Sequence, residues 1–197
     1  PGVMYIVMEM CAGGSLVSRM KDHRHVYSER MAATLIEKML SAVVYCHHHG
    51  VVHRDIKLDN VMYEKDGEEA ELKLIDFGFA MEVTRGKETM WDQLGTPSYM
   101  APELWNDKQY DSSVDMWAVG VLMHVLLSGT LPYDPNNYVL AMVTAAADRE
   151  TLQLPEHRWG NVSREARHLL QSLLQFRPQL RPSAASAKQH PWLAAVQ

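Results

Sequence analysis

The sequence predicts an α+β fold that is mainly helical, with a few short β-hairpins between the helices. Two observations support this prediction. Apolar residues recur at helical spacing from Ser28 to Gly50, and the stretch 114–127 is apolar on nearly every face. Short β-favouring segments at 51–52, 61–63 and 72–75 lie between these two helices. The chain has 197 residues, 47% of them hydrophobic, and contains no Pro/Gly/Ser-rich linker, so we expect one domain around one core.

The first half of the chain alternates these segments with turn residues. Residues 4–10 are apolar and β-favouring and end close to Gly13-Gly14, which predicts a buried strand followed by a turn. Ser15 is a candidate cap for a short helix. Lys65-Asp66-Gly67 predicts the turn of a hairpin between the last two β-favouring segments.

The second half is predicted to be mostly helical. Asp111, Ser112 and Ser113 offer caps for the apolar helix 114–127. Further helices are predicted at 136–147, 163–175 and 183–196. Prolines mark the joints between these helices: Pro132, Pro155, Pro178 and Pro182.

Composition and charge narrow the classes of partner. The formal net charge is −5 and the pI is near 6.1, which argues against nucleic-acid binding because such proteins usually carry a clustered basic face. The longest apolar stretch, 116–127, is too short to cross a bilayer, so no membrane partner is predicted. Cys11 and Cys46 occur without a visible secretory leader, which favours free thiols and a cytoplasmic location.

Three motifs follow one another along the chain: His53-Arg54-Asp55-Ile56-Lys57-Leu58-Asp59-Asn60, then Asp76-Phe77-Gly78, then Ala101-Pro102-Glu103. Chance explains a lone three-residue match, but not this many specified positions in this order. Phosphoryl transfer needs carboxylates, a cation and Mg²⁺ around two oxygens held roughly in line. The motifs contain carboxylates, a lysine cation and oxygen-bearing side chains that suit Mg²⁺.

Four residues have side chains suited to this chemistry. Asp55 can accept a hydrogen bond from an attacking hydroxyl, and Lys57 can hold a γ-phosphate as a point charge. Asn60 can offer a neutral oxygen to Mg²⁺, and Asp76 an ionised one. Each residue taken alone has an ordinary alternative, since an Asp often forms a turn and a Lys is usually solvated.

The two residues after Asp76 predict a conformational switch. Phe77 is the apolar side chain whose packing would set the direction of Asp76. Gly78 gives the backbone the freedom that such a switch requires. We therefore treat Phe77 and Gly78 as candidate regulatory residues.

The motifs resemble those of the eukaryotic protein kinase superfamily over essentially all 197 residues, and Lys57 two places after Asp55 resembles the serine/threonine branch. The resemblance implies a kinase large lobe with its hinge, with catalytic loop 53–60 and activation segment 76–103, and with ATP and Mg²⁺ as cofactors. The sequence contains no Gly-rich phosphate loop and no Val-Ala-Ile-Lys strand. We therefore expect the small lobe to be missing and the 197 residues alone to be inactive.

The resemblance also implies a wall for the adenine pocket. Met8 would be the gatekeeper, Glu9 and Cys11 would bind adenine through backbone groups, and Met62 would pack beneath the base. For the two methionines, filling of the core is the alternative.

Other matches imply support for the catalytic loop. Glu103 would pair with Arg181 beneath the activation segment, and Asp115 would hold the catalytic-loop backbone. Thr96 should contact Asp55 and shape the acceptor pocket. Loss of one partner of a buried ion pair costs roughly 3–5 kcal/mol.

The C-terminal part resembles the calcium/calmodulin-dependent kinase group, through segments 159–163, 181–184 and 190–192. No EF-hand loop is present in the sequence, so calcium or calmodulin control is predicted only through segments outside this chain. Kinases of this group often carry Glu where this chain has Ser15, so a preference for basic substrates is not predicted.

Arg54 beside the catalytic Asp resembles kinases controlled by a phosphorylated activation segment, yet the usual acceptor position here is Asp92. We hypothesise that the Asp92 carboxylate pairs with Arg54 in place of a phosphate, with one charge and weaker ordering. A solvated loop Asp is the alternative. Thr84 and Thr89 are further candidate phosphorylation sites.

His47-His48-His49 invites a metal interpretation, but consecutive helical residues point in different directions and do not converge on one ion. Histidines near a helix C-terminus interact favourably with its dipole. We expect these three to be helix-end residues.

The main functional prediction is transfer of the ATP γ-phosphate to Ser/Thr hydroxyls of protein substrates. The alternative is a non-catalytic, pseudokinase-like or truncated binding module, because no lysine that would grip the α- and β-phosphates is found. A small-molecule kinase is a weaker third hypothesis, since the segments at 96–97 and 101–103 resemble a peptide-binding activation segment.

Overall fold

Two long helices form the centre of the computed structural model, which describes residues 3, 5–22, 27–67, 70–83, 90, 92–105, 109–133 and 152–194. The helices are α1 (Leu16–Asp22), α2 (Glu29–His48), α3 (Ser113–Ser128), α4 (Glu156–Trp159), α5 (Arg164–Leu173), α6 (Ala184–Lys188) and α7 (Pro191–Ala194). The strands are β1 (Val51–Val52), β2 (Val61–Tyr63), β3 (Leu72–Leu74) and β4 (Met81–Glu82). The prediction of a mainly helical α+β fold is confirmed.

Helix α2 begins and ends where the sequence signals predict. The Ser28 hydroxyl accepts a hydrogen bond from the Met31 amide, which satisfies one of the unpaired donors of the first turn. After the last turn, Gly50 adopts a φ of +71°, a conformation that favours glycine. One face of α2 is buried against the core: Ala32, Ala33, Leu35, Ile36, Met39, Leu40 and Val43.

Helix α3 is buried along its whole length from Val114 to Leu127, as its unbroken apolar sequence predicts. Gly120 permits the chain at the end of α5 to approach closely, because a Cβ at that position would lie 2.8 Å from Leu174 Cδ2. Truncating a fully buried leucine such as Leu122 to alanine costs about 2–5 kcal/mol. Helix α3 is therefore the apolar support for the rest of the fold.

Two small antiparallel sheets bring the motif loops together. Strand β2 pairs with β3, with Met62 opposite Lys73, and strand β1 pairs with β4, with Val52 opposite Met81. The catalytic loop connects β1 to β2, and residues 75–80 connect β3 to β4. Because each sheet contributes one strand to each connection, both loops lie side by side.

Three predicted elements differ from the structure. Residues 5–10 form no regular strand and are exposed, since no described segment offers them a ladder of hydrogen bonds. The predicted helix 183–196 is split into α6 and α7, because Pro191 disfavours helical backbone at His190. Helix α4 was not predicted, and α5 is shorter than 163–175.

The predicted helix 136–147, Thr84 and Thr89 lie outside the described residues. Within the part of the chain that is described, no helix combines the length and hydrophobicity that a membrane span requires.

Candidate active site

The Asp55 carboxylate lies at the centre of a dense set of hydrogen bonds. Its Oδ2 accepts from Lys57 Nζ at 2.7 Å and from Asn60 Nδ2 at 3.0 Å. Its Oδ1 accepts from the Thr96 amide at 2.9 Å and from the Thr96 hydroxyl at 2.7 Å. Lys57 Nζ also donates to Thr96 Oγ1 at 2.7 Å, so two of the three side chains around Asp55 also contact each other. The structure thus brings Asp55, Lys57, Asn60 and Thr96 into one cluster.

The electrostatics of this cluster keep Asp55 ionised. Its side chain is only 2% exposed, and burial alone raises the pKa of a carboxyl. Hydrogen bonds from Lys57 and Thr96, the positive charge of Lys57 and a hydrogen bond from Asn60 outweigh this effect and hold the Asp55 pKa below its usual range. Asp55 is therefore an acceptor at neutral pH and does not require proton loss first.

The oxygens of Asn60 and Asp76 suit a magnesium ion. Asn60 Nδ2 donates to both the Asp55 carbonyl and the Asp55 carboxylate, so the amide oxygen faces away from that contact. The Ile75 amide donates to the Asn60 carbonyl at 2.9 Å, which places Asp76 next to Asn60. Asp76 is exposed and adopts a left-handed φ of 61°. One carboxylate and one amide oxygen, completed by water and phosphate, fit the hard-oxygen preference of Mg²⁺.

Phe77 and Gly78 lie where they affect the direction of Asp76. The ring of Phe77 packs edge-on against His53 at a centroid distance of 4.7 Å, and Phe77 remains 46% exposed. The Gly78 amide donates to Asp76 Oδ1 at 3.2 Å. Whether these residues act as a switch stays a prediction.

His53 connects the two loops from a fully buried position. Its Nδ1 accepts from the Asp55 amide at 3.3 Å, so the ring proton lies on Nε2, which donates to the Ile75 carbonyl at 3.0 Å. This neutral tautomer satisfies both contacts. Its ring ties the amide of Asp55 to the residue that precedes Asp76.

Asp115 on α3 anchors the backbone of the catalytic loop. Its Oδ2 accepts from the His53 amide at 2.9 Å, and its Oδ1 accepts from the Arg54 amide at 2.8 Å. His47 Nε2 donates to Oδ2 at 2.8 Å. His47 is thus more than a helix-end charge, a role that its sequence context did not indicate. Among the described residues, no group of three or more His, Cys, Asp or Glu is arranged to hold a metal ion.

Glu103 and Arg181 form a bidentate ion pair beneath the activation segment. The two N–O distances are 2.6 and 2.8 Å, and the Arg181 side chain is fully buried. Arg181 also donates to the carbonyls of Gln175 and Ser113. This pair fixes the segment at 102–105 against the start of α3.

The structure corrects the hypothesis for Asp92. Among the described residues, no ion pair joins Arg54 to the Asp92 carboxylate. Arg54 donates instead to the Tyr110 hydroxyl at 3.1 Å, and this hydroxyl donates to the Asp92 carbonyl at 2.7 Å. The side chain of Asp92 is exposed. Tyr110 was missed by sequence reasoning, since it lies 56 positions from Arg54 and belongs to none of the motifs.

The residues predicted to line the adenine pocket lie beside the β2–β3 hairpin. The Ala12 amide donates to the Glu64 carbonyl, which docks the turn after Cys11 on this hairpin. Glu9 pairs with Lys73 at 3.4 Å, and Lys73 lies opposite Met62. Met8 is 80% exposed, so it fills no core in this chain.

These features define a protein kinase catalytic lobe. The family described as protein kinase domain matches residues 1–193, and the chain belongs to this family. Its relatives further assign it to the serine/threonine, calcium/calmodulin-dependent kinase-like group.

Three relatives illustrate the similarity. Calcium-dependent protein kinase 3 of Oryza sativa is 36% identical over 98% of this chain and 34% of its own length. The calcium/calmodulin-dependent protein kinase type II alpha chain of Drosophila melanogaster is 35% identical over 96% of this chain and 35% of its own length. Myosin light chain kinase A of Dictyostelium discoideum is 36% identical over 98% of this chain and 64% of its own length. The chain therefore spans between about a third and two thirds of the length of these relatives.

Proposed function

We propose that this chain supplies the catalytic lobe of a protein kinase that transfers the γ-phosphate of ATP to serine and threonine hydroxyls of proteins. The observation that carries the proposal is the cluster of Lys57, Asn60 and Thr96 around the buried, ionised carboxylate of Asp55. A carboxylate in this setting accepts a hydrogen bond from the substrate hydroxyl. This bond orients the hydroxyl so that the lone pair of the hydroxyl oxygen points toward phosphorus.

The hydrogen bonds of Asp55 indicate what substrate binding must rearrange. Four donors already contact the carboxylate, which has about four lone-pair positions. A substrate hydroxyl therefore needs one of them to leave. Lys57 is the donor that gains most by moving, because a γ-phosphate offers it a stronger acceptor than a carboxylate already shared with Thr96 and Asn60. In this proposal, Lys57 couples nucleotide binding to exposure of Asp55.

Asn60 and Asp76 would hold Mg²⁺, which neutralises charge on the phosphate oxygens when it is bound. The amide nitrogen of Asn60 stays on Asp55, so one side chain links metal binding to the orientation of Asp55. Met8, Glu9, Cys11 and Met62 would contribute to the adenine site.

ATP binding should also need groups that these 197 residues do not include, namely a Gly-rich loop and a phosphate-binding lysine. An exposed apolar surface of this chain fits one that packs against a second lobe. It consists of Tyr5, Ile6, Val7, Met8, Met10, Phe77 and Phe79. The same exposed surface favours the second candidate function, a non-catalytic binding module. Calcium or calmodulin control would come only through segments outside this chain.

The test uses two proteins: the 197-residue chain alone, and the chain fused behind the small lobe of an active serine/threonine kinase. Each is incubated with Mg·ATP and a library of Ser- and Thr-centred peptides, and products are identified by mass spectrometry. We expect phosphopeptides from the fusion only. Asp55→Asn should reduce their rate of formation at least about 100-fold, the usual contribution of a positioned base.

Asp66→Asn, in the exposed hairpin turn, is the matched control and should leave the rate unchanged. A rise in melting temperature with Mg·ATP shows that the two lobes of the fusion assemble. An assembled fusion that forms no phosphopeptide, or that keeps its rate after Asp55→Asn, supports the binding module instead. Full-rate turnover by the chain alone contradicts the need for a second lobe.

A further inference from the structure

Arg54 contacts the activation segment directly at Phe79 and, through Tyr110, a second time near Asp92. Its Nε donates to the Phe79 carbonyl at 2.6 Å, directly after the Asp76-Phe77-Gly78 motif. Its Nη1 donates to the Tyr110 hydroxyl at 3.1 Å. The backbone of Arg54 has a left-handed φ of 68°, which is unfavourable for a residue with a Cβ, and Asp115 holds its amide. The side chain is thus fixed toward these two acceptors.

Tyr110 contacts the activation segment at Met90 and Asp92, through both its backbone and its side chain. Its amide and carbonyl exchange hydrogen bonds with Met90 at 3.2 and 3.1 Å. Its hydroxyl donates to the Asp92 carbonyl at 2.7 Å, and that carbonyl also accepts from the Leu94 amide at 3.1 Å. Tyr110 is only 4% exposed, so its ring cannot leave without disturbing the core.

The hydroxyl of Tyr110 is fully used in this arrangement. It accepts a hydrogen bond from the Arg54 guanidinium and donates one to the Asp92 carbonyl. A guanidinium only donates and a carbonyl only accepts, so a hydroxyl can bridge the two groups. Four positions after Asp92, Thr96 donates to Asp55 through both its amide and its hydroxyl. A short, continuous path of contacts therefore runs from Arg54 through Tyr110 to Asp92, and the chain continues from there to the catalytic cluster.

We propose that Tyr110 is a positioning residue which orders the activation segment through Arg54 without a phosphate. The neutral hydroxyl accepts the hydrogen bond from Arg54 and donates to the backbone carbonyl of Asp92. The main chain at Asp92 is thereby held in place, and no acidic side chain is required. This inference rests on the proposed function for its catalytic meaning. Its first test does not depend on phosphoryl transfer, so the two proposals can fail separately.

The test measures amide hydrogen exchange in the full 197-residue chain, expressed in bacteria and shown by mass to carry no phosphate. Tyr110→Phe keeps the ring and the backbone pairing with Met90 but removes the bridge. We expect exchange at Leu94 and Thr96 to accelerate about tenfold, while amides of α3 stay unchanged. Unchanged exchange at Leu94 and Thr96 overturns the proposal, as does a wild-type segment with no protection at these amides.

Two controls separate positioning from general loss of stability. Tyr63→Phe removes the hydroxyl of another 4%-exposed tyrosine and should not alter exchange at Leu94 or Thr96. Asp92→Asn should also leave these amides unchanged, since the bridge uses the carbonyl of Asp92. Acceleration by Asp92→Asn equal to that of Tyr110→Phe restores the carboxylate hypothesis and contradicts ours.

A second variant keeps the proposal testable if Tyr110→Phe does not fold. Arg54→Gln removes the guanidinium that meets the hydroxyl and should accelerate the same amides. Adding Tyr110→Phe to Arg54→Gln should then cause less than a twofold further change, because both variants break one path. Fully multiplicative effects show that the two residues act independently and overturn the proposal. In the active fusion, Tyr110→Phe should raise KM for the peptide more than it lowers kcat.

Discussion

Arg181 and Glu103 lie 78 positions apart in the sequence and form a bidentate ion pair in which the Arg181 side chain has no exposed surface. Together with the hydrogen bond from Arg181 to the Ser113 carbonyl, the pair joins the end of the activation segment to the start of α3. It is reinforced by Trp117, whose ring lies 5.0 Å from the Arg181 guanidinium carbon. Because burial removes water from these charges, their stability in the fold depends on each of these partners.

We predict that Arg181→Ala lowers the free energy of unfolding by about 3–5 kcal/mol, because Glu103 remains as a buried and unpaired charge. Chemical denaturation followed by circular dichroism measures this loss. Arg167→Ala is the control: Arg167 pairs with Glu156, whose side chain is 77% exposed, and such surface pairs contribute about 0–1 kcal/mol. If both variants lower the free energy of unfolding by similar amounts, burial does not make the Arg181–Glu103 pair more important than a surface pair.

Asp115→Asn should weaken the hydrogen bonds that hold the backbone of the catalytic loop, and so make this loop open more often than the rest of the fold. An asparagine has one acceptor oxygen, whereas Asp115 uses one oxygen for Arg54 and the other for His53 and His47. At least one buried donor loses its partner, which costs about 1–3 kcal/mol. Faster amide exchange at His53 or Arg54 is the expected measurement.

Asp111→Asn is the matched control for this prediction. Asp111 accepts from the Ser113 amide at an exposed helix start, and asparagine caps a helix about as well as aspartate. Its free energy of unfolding should change by less than about 0.5 kcal/mol. Unaltered exchange in Asp115→Asn shows that the loop does not need both carboxylate oxygens.

Thr96→Val tests the link between the activation segment and the catalytic cluster. The variant keeps the shape of the side chain and the amide that contacts Asp55, but removes the hydroxyl shared by Asp55 and Lys57. In the active fusion we expect kcat to fall about 10- to 100-fold, which corresponds to the loss of one charge-assisted hydrogen bond. Thr96→Ser should recover most of the rate, and equal defects in both variants indicate that the hydroxyl is not the cause.

His124 should make the stability of the fold sensitive to acid. Burial lowers its pKa to about 4; the hydrogen bond to the Thr130 carbonyl opposes this shift, and the charge of Arg158 adds to it. Because the folded pKa lies below the ordinary value of 6.5, the unfolded chain binds a proton between pH 6.5 and 4 that the folded chain does not. The free energy of unfolding should therefore fall by about 1.4 kcal/mol per pH unit over this window, or about 2 kcal/mol by pH 5.

Denaturation at a series of pH values measures this slope. His124→Gln should flatten it between pH 6.5 and 5, whatever the variant does to stability at neutral pH. A slope that His124→Gln does not alter assigns the acid sensitivity to other groups.

Local sequence signals predicted the long elements well. Ser28 and Gly50 bound α2 because capping and left-handed glycine act over a few residues, and the apolar run of α3 requires burial on all sides. Local signals predicted residues 5–10 less well, because a strand is stable only beside a partner. The split at His190 also follows from one residue, Pro191, whose effect outweighs the helical pattern around it.

The sequence by itself determined which candidate catalytic groups this protein has, since Asp55, Lys57, Asn60 and Asp76 lie in short motifs whose residue types and spacing are local. Only the tertiary structure decided how the groups are held. Arg54 donates to the hydroxyl of Tyr110 and the carbonyl of Phe79 and not to the carboxylate of Asp92, and His47 contacts Asp115 from another helix. These contacts depend on how α2, α3 and the activation segment pack, and such packing is a property of the whole core that no short stretch of sequence encodes.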